Sequence, residues 1–151
     1  MTGNRSVGED LHRLVDLRLR AVGQRYTRSR RALVDVLARA DRPLTIAQIL
    51  SRRRKLPQSS AYRNLVALED ADAIRRVVSG SDQTSRFELA EDLIGHHHHL
   101  VCSSCGAVED FPPTRQLEQV MDRTMRDVAL SSRFAPETHH VQLRGLCSSC
   151  A

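Results

Sequence analysis

Four cysteines in two Cys-x-x-Cys pairs, Cys102/Cys105 and Cys147/Cys150, carry the most specific chemistry in the chain. Each pair can grip one ion from a tight turn, and two such turns complete a tetrahedral thiolate site with Zn–S bonds of about 2.3 Å. Gly106 follows the first pair and tolerates the positive φ of such a turn. The 41 residues between the pairs exceed the spacing of a minimal zinc ribbon, and a strand–helix–strand insertion accounts for them. A closed four-sulfur site has no open coordination position, so its zinc is structural rather than catalytic. Two disulfides or a redox dithiol are the other chemistries open to four thiols.

A run of four histidines, His96, His97, His98 and His99, leads directly into Leu100-Val101-Cys102. In extended chain, alternate side chains face opposite ways, so His97 and His99 share one side and His96 and His98 the other. The run can therefore serve two metal sites. Further donors are Glu88 upstream, Glu118 at the start of a predicted helix, and His139 and His140 before the last strand. Nitrogen and oxygen donors suit Zn(II), Fe(II), Mn(II), Co(II) or Ni(II). No H-E-x-x-H pattern is present, and a zinc hydrolase built on these histidines is the weaker reading; the expectation is that the chain is not an enzyme.

Charge is uneven. Residues 1–89 hold 18 Arg and Lys against 10 Asp and Glu, whereas residues 90–151 hold 5 against 8. The basic half suits a polyanion. Within it, Ser59, Ser60, Tyr62 and Arg63 open a predicted helix able to present hydroxyls and amides to phosphate and a side chain to base edges. Arg25, Arg28 and Arg30 form a second basic cluster. A zinc-stabilised protein-interaction adaptor without sequence-specific DNA binding is the alternative to a DNA-binding role.

The elements that must position these groups follow from periodicity. Helices are expected over about 11–22, 28–40, 45–55 and 59–70, with Thr27 and Thr45 as caps, Thr45-x-x-Gln48 as a capping box, and Ser59 or Ser60 capping the fourth. Strands at 74–78 and 85–89 flank a turn at residues 79–82. Helices followed by a hairpin make a winged helix-turn-helix. Further on, strands are expected at 99–102, 107–111 and 140–146, with a helix over 114–130 burying Leu117, Val120, Met121, Met125 and Val128. The fold class is α+β: a winged helix-turn-helix DNA-binding domain over 1–89, a hinge over 90–95 and an α/β dimerisation domain over 96–151. With 40% hydrophobic but only 3% aromatic residues, the core must be aliphatic. No apolar run approaches the roughly 20 residues of a membrane span, and the first ten residues lack the apolar stretch of a signal peptide; the expectation is a soluble cytoplasmic protein.

Arg25-Tyr-Thr27-Arg-Ser-Arg30, Ser60-Ala-Tyr62-Arg63-Asn-Leu65, Phe87-Glu88-Leu89, the His96–Cys105 stretch with Gly106, and His139 followed by Gly145-Leu146-Cys147-x-x-Cys150 occur in this order. Together they resemble the ferric uptake regulator family of bacterial metalloregulators over about residues 20–150. The resemblance implies a homodimer that, loaded with metal, binds an inverted-repeat double-stranded DNA operator and represses genes of iron or zinc homeostasis. It implies structural Zn(II) on Cys102, Cys105, Cys147 and Cys150, and a regulatory site of Glu88, His97 and His99 taking Fe(II) or Zn(II) as co-repressor. It also implies an additional site of His96, His98, Glu118 and His139. The chain departs from the family pattern at Arg42-Pro43, where iron sensors place a histidine, and at Arg75 and Glu88, where zinc sensors place Asp and Cys. The regulatory set is thus one donor short.

Overall fold

The computed structural model describes residues 3–78 and 84–151; the turn expected at residues 79–82 lies outside them. The chain divides into two compact units, Met1–Gly95 and His96–Ala151.

The first unit opens with α1 (Gly3–Ala21), α2 (Arg28–Ala38), the short strand β1 (Leu44–Thr45), α3 (Ile46–Arg52) and α4 (Gln58–Asp70). Helix α1 begins earlier than its apolar spacing predicts. It ends in a Schellman-type stop, with Gly23 at φ 72°, its N–H bonded to the Arg20 carbonyl and that of Gln24 to Leu19. Thr27 caps α2 by accepting from the Arg30 N–H, and Thr45 with Gln48 completes the capping box on α3. Ser59 and Ser60 are not caps. Pro57 occupies that position without a side-chain hydrogen bond, its carbonyl accepting the first helical bond from Ala61. The helix can start there because proline's fixed φ suits a helix entry, which leaves both serines inside the first turn. Asp72 closes α4 at φ 52°, a left-handed position that Asp tolerates better than most residues.

Strands β2 (Ile74–Val78) and β3 (Ser85–Leu89) pair antiparallel, and β1 adds to the other side of β3 in the order β1-β3-β2. This is the wing. The core beneath it is aliphatic apart from Phe87: Val15 and Leu19, Leu33 and Leu37, Ile49, Leu65 and Leu68 are all buried. A single helical turn, α5 (Glu91–Ile94), occupies the stretch expected as a hinge and stops at Gly95. Its φ of 97° and ψ of 156° suit glycine alone.

In the second unit β4 (His98–Cys102) and β5 (Val108–Phe111) form an antiparallel hairpin about the first Cys pair, with Gly106 at φ 70°. Helix α6 (Arg115–Ser131), capped by Thr114, crosses to β6 (Gln142–Gly145), which pairs parallel with β4. The apolar stripe expected to be buried on α6 is not: no described residue of the helix is buried, and Val120 stands 61% exposed. Leu117, Met121 and Met125 are half-buried, whereas Val120 and Val128 are exposed, so the stripe is covered only in part among the described residues. Buried apolar side chains here are few, chiefly Val101, Cys102 and Val108.

Candidate metal centres and nucleic-acid interface

The two Cys-x-x-Cys hooks meet. All four are free thiols, and their sulfurs lie within 4.8 Å of one another. Cys105 and Cys147 are 3.8 Å apart, and a tetrahedron with 2.3 Å bonds has edges of about 3.8 Å. Parallel pairing of β6 with β4 aligns Cys102 with Gly145 and so carries the second hook to the first. Backbone N–H groups of Cys105, Cys147 and Ser104 point at the Cys102 sulfur and hold its pKa down to about 6. At Cys150 the Ser104 hydroxyl pulls downward, but the neighbouring Cys147 and Cys105 thiols outweigh it and push the pKa up to about 11. One thiolate is thus ready in advance; a divalent cation lets the others ionise beside it.

The histidine run splits between the two faces of its strand. On one, the His96 and His98 rings meet edge-on at 4.7 Å, and His139 joins them. Glu118 sits among these rings: its oxygens lie 3.2 Å from His96 Nε2, 2.9 Å from His98 Nε2 and 3.3 Å from His139 Nε2. His96 and His139 face each other at 3.2 Å. Tetrahedral donors at 2.0–2.1 Å from a metal lie about 3.3 Å apart; the three nitrogens and a carboxylate oxygen of Glu118 lie within 4.8 Å of one another, close enough to converge on one ion. Burial keeps the His96 pKa low, favouring the neutral, ligating form. Burial alone would raise Glu118, but the His98 hydrogen bond and the charges of His96 and His139 hold it below its usual range, favouring carboxylate. His98 is fully buried, and its Nδ1 has no hydrogen-bond partner among the described residues.

On the other face the His97 and His99 rings meet at 5.1 Å. Asp110 on β5 stands opposite His99 in the hairpin register, 3.7 Å from its Nε2. The donor atoms of these three residues lie within 4.8 Å of one another. Asp110 was absent from the expected ligands. Counting outward from the Cys turn, Val101 against Val108 and Leu100 against Glu109, would have reached it.

Glu88 belongs to the first unit. It lies on the central strand β3, only 5% exposed, and faces Arg75 across the β2–β3 pair. The Arg75 guanidinium forms an ion pair with it and reaches Glu91 at 3.4 Å.

Helix α4 buries Ala61, Leu65 and Leu68 and turns Ser59, Tyr62 and Arg63 outward, with Tyr62 48% exposed. Ser60 is half-buried and accepts from Asn64. Arg25 and Arg28 are exposed. Arg30 is engaged inside the unit, donating to Asn64 at 3.2 Å, the Arg25 carbonyl at 2.6 Å and Gln24 at 2.8 Å. It fixes α4 against the loop before α2.

Residues 21–144 match the model of the ferric uptake regulator family. The chain belongs to that family. The ferric uptake regulation protein of Campylobacter jejuni is 27% identical over 138 residues, covering 87% of this chain and 83% of that one. The peroxide operon regulator of Bacillus subtilis is 26% identical over 139 residues, with 88% of each chain covered. The fold is that of the Helicobacter pylori ferric uptake regulator, with a TM-score of 0.72 at 22% identity over 95% of this chain and 93% of that one. Ferric uptake regulators are metal-responsive, dimeric DNA-binding transcription regulators, and the α+β architecture described above is that of this family. No helix among the described residues is long and apolar enough to cross a membrane.

Proposed function

We propose that the chain is a homodimeric repressor that binds an inverted-repeat operator when loaded with metal and controls genes of iron or zinc homeostasis. The observation that carries this reading is the division of one histidine run into two donor groups on opposite faces of β4 in a member of this family. In this reading Cys102, Cys105, Cys147 and Cys150 hold structural Zn(II). His97, His99 and Asp110, with Glu88 from the DNA-binding unit, take the sensed Fe(II) or Zn(II), and His96, His98, Glu118 and His139 form an additional site. Metal on the sensing donors shifts the protein from a state that does not bind operator to one that does. Moving that two-state equilibrium from 1:99 to 99:1 needs about 5.5 kcal/mol of differential binding, within reach of several metal–ligand bonds. Ser59, Ser60, Tyr62 and Arg63 enter the major groove, and Arg25 and Arg28 meet phosphates; Arg30 positions α4. Support for the dimer comes from Val120, Leu130, Phe134 and Leu143, all more than half exposed.

The test is operator binding across a metal panel, with the operator selected from a random-sequence duplex library. Binding is expected to vanish with chelator and to return with Fe(II) or Zn(II). The double variant His97→Ala/His99→Ala should lose that response yet keep its thiolate-bound zinc. Metal-dependent operator binding by the double variant would falsify the sensing assignment.

A further inference from the structure

A second concentration of positive charge lies outside the residues assigned above to the recognition helix. The end of α3 and the turn leading to α4 face the start of α2 across a cavity of about 590 Å³. Arg28, Arg52, Arg53, Arg54 and Lys55 line it, Ser29 adds a hydroxyl, and no acidic residue contributes. Several other arginines of this unit are compensated: Arg13 by Asp10, Arg20 by Asp16, Arg76 by Glu69. Arg28, Arg53, Arg54 and Lys55 make no ion pair or side-chain hydrogen bond among the described residues, and Arg52 has only a longer-range attraction to Asp41. The negative end of the α3 dipole accounts for a cation at Arg52. It does not account for four more converging on one concavity, where like charges repel unless an anion joins them.

We propose that this cavity is a phosphate-binding site, occupied by backbone phosphates of the operator when α4 lies in the major groove. The proposal rests on the DNA-binding reading for its source of phosphate. Guanidinium groups match phosphate oxygens with paired hydrogen bonds, which makes arginine the fitting residue. Lys55 precedes Gln58, the first residue of α4, by three residues, at most about 11 Å of chain. Phosphates rim a major groove about 12 Å wide, so a helix seated in the groove brings the cavity to its edge. Contacts of this kind carry affinity and no sequence information.

The experiment compares wild-type protein, metal-loaded, with Arg53→Gln/Arg54→Gln/Lys55→Gln on a short duplex of unrelated sequence across a KCl series. Each lost phosphate contact flattens the slope of log K against log salt by about 0.9, so losing all three contacts should flatten the variant's slope by about 2.7 per protomer. Its preference for selected operator over unrelated duplex should stay unchanged. Arg54→Gln/Lys55→Gln lies beyond α3 and keeps the test open if the triple variant unfolds. Equal slopes for wild type and variant overturn the DNA assignment. Calorimetry with pyrophosphate forms the second arm. Pyrophosphate binding lost in the variant, with slopes equal, moves the site to a soluble phosphate ligand; no difference in either arm removes the site. Wild-type protein that ignores duplex DNA overturns the DNA-binding reading, while the pyrophosphate arm still decides the cavity.

Discussion

A guanidinium resting on Glu88 competes with any divalent cation for the same carboxylate. Arg75 is 21% exposed and Glu88 5%, so the pair is largely desolvated, and removing one partner of such a pair leaves a buried charge at a cost of several kcal/mol. Arg75→Ala should therefore destabilise the metal-free protein and tighten its second metal by about tenfold or more, since two cations in a low-dielectric site repel strongly. Co(II) titration of zinc-loaded protein, read by absorbance, checks the affinity, and the metal-induced rise in Tm should be larger in the variant. An unchanged Co(II) affinity would mean that Glu88 is not a ligand in this chain. His98 acts in the opposite sense on the other face. A metal on its Nε2 forces the ring proton to Nδ1, where no partner waits among the described residues, and an orphaned buried donor costs about 1–3 kcal/mol. That cluster should be weaker than its spacing suggests. Alternation along the histidine run was legible from sequence because strand periodicity is local. Asp110 and the Arg75–Glu88 pair were not, because each depends on the register between two strands.

Helix α6 has the sequence of a helix with a buried side and surroundings that cover that side only in part. Its periodicity gave its position to within a residue, since spacing and the Thr114 cap are properties of the segment itself. What covers the stripe is not such a property. On the homodimer reading the cover is a second copy, and Val120→Arg should yield a monomer by sedimentation with helix content by circular dichroism unchanged. Loss of helix content as well would mean that the stripe serves the fold of one chain. The recognition helix carries the same lesson at its start. Two serines look like caps by type, yet Pro57 takes the position because the backbone enters the helix two residues before the nearer serine. Strand β1, two residues long, has no periodicity to read and exists only through its pairing with β3.

At the scale of the whole chain, the units are stabilised by different means. The first has an aliphatic core fed by four helices and the wing, and large-to-small changes there, at Leu65 or Leu68, belong to the class that costs about 2–5 kcal/mol. The second has little buried apolar area, and small domains of this kind lean on metals or partners. Cys147→Ser should remove the thiolate-bound zinc and, with it, hydrogen-exchange protection in β4 and β6. Helices α2 and α4 should keep theirs, and equal loss of protection in both units would contradict the division. The basic and the mildly acidic half of the sequence meet near the Gly95–His96 division of the chain, since charge follows composition. That contrast did not reveal the cavity beside α3, which needs two segments, the start of α2 and residues 51–56, brought together.

The last strand makes the difference concrete. All four residues of β6 are exposed, so it rests on the sheet edge by backbone hydrogen bonds and by the sulfurs that follow it. On the zinc reading, the persistence of that edge is a rate of ligand exchange rather than a depth of burial. Two samples of identical sequence and temperature would then age differently according to the strongest chelator in their buffer, and heat would be the slower way to take the second unit apart.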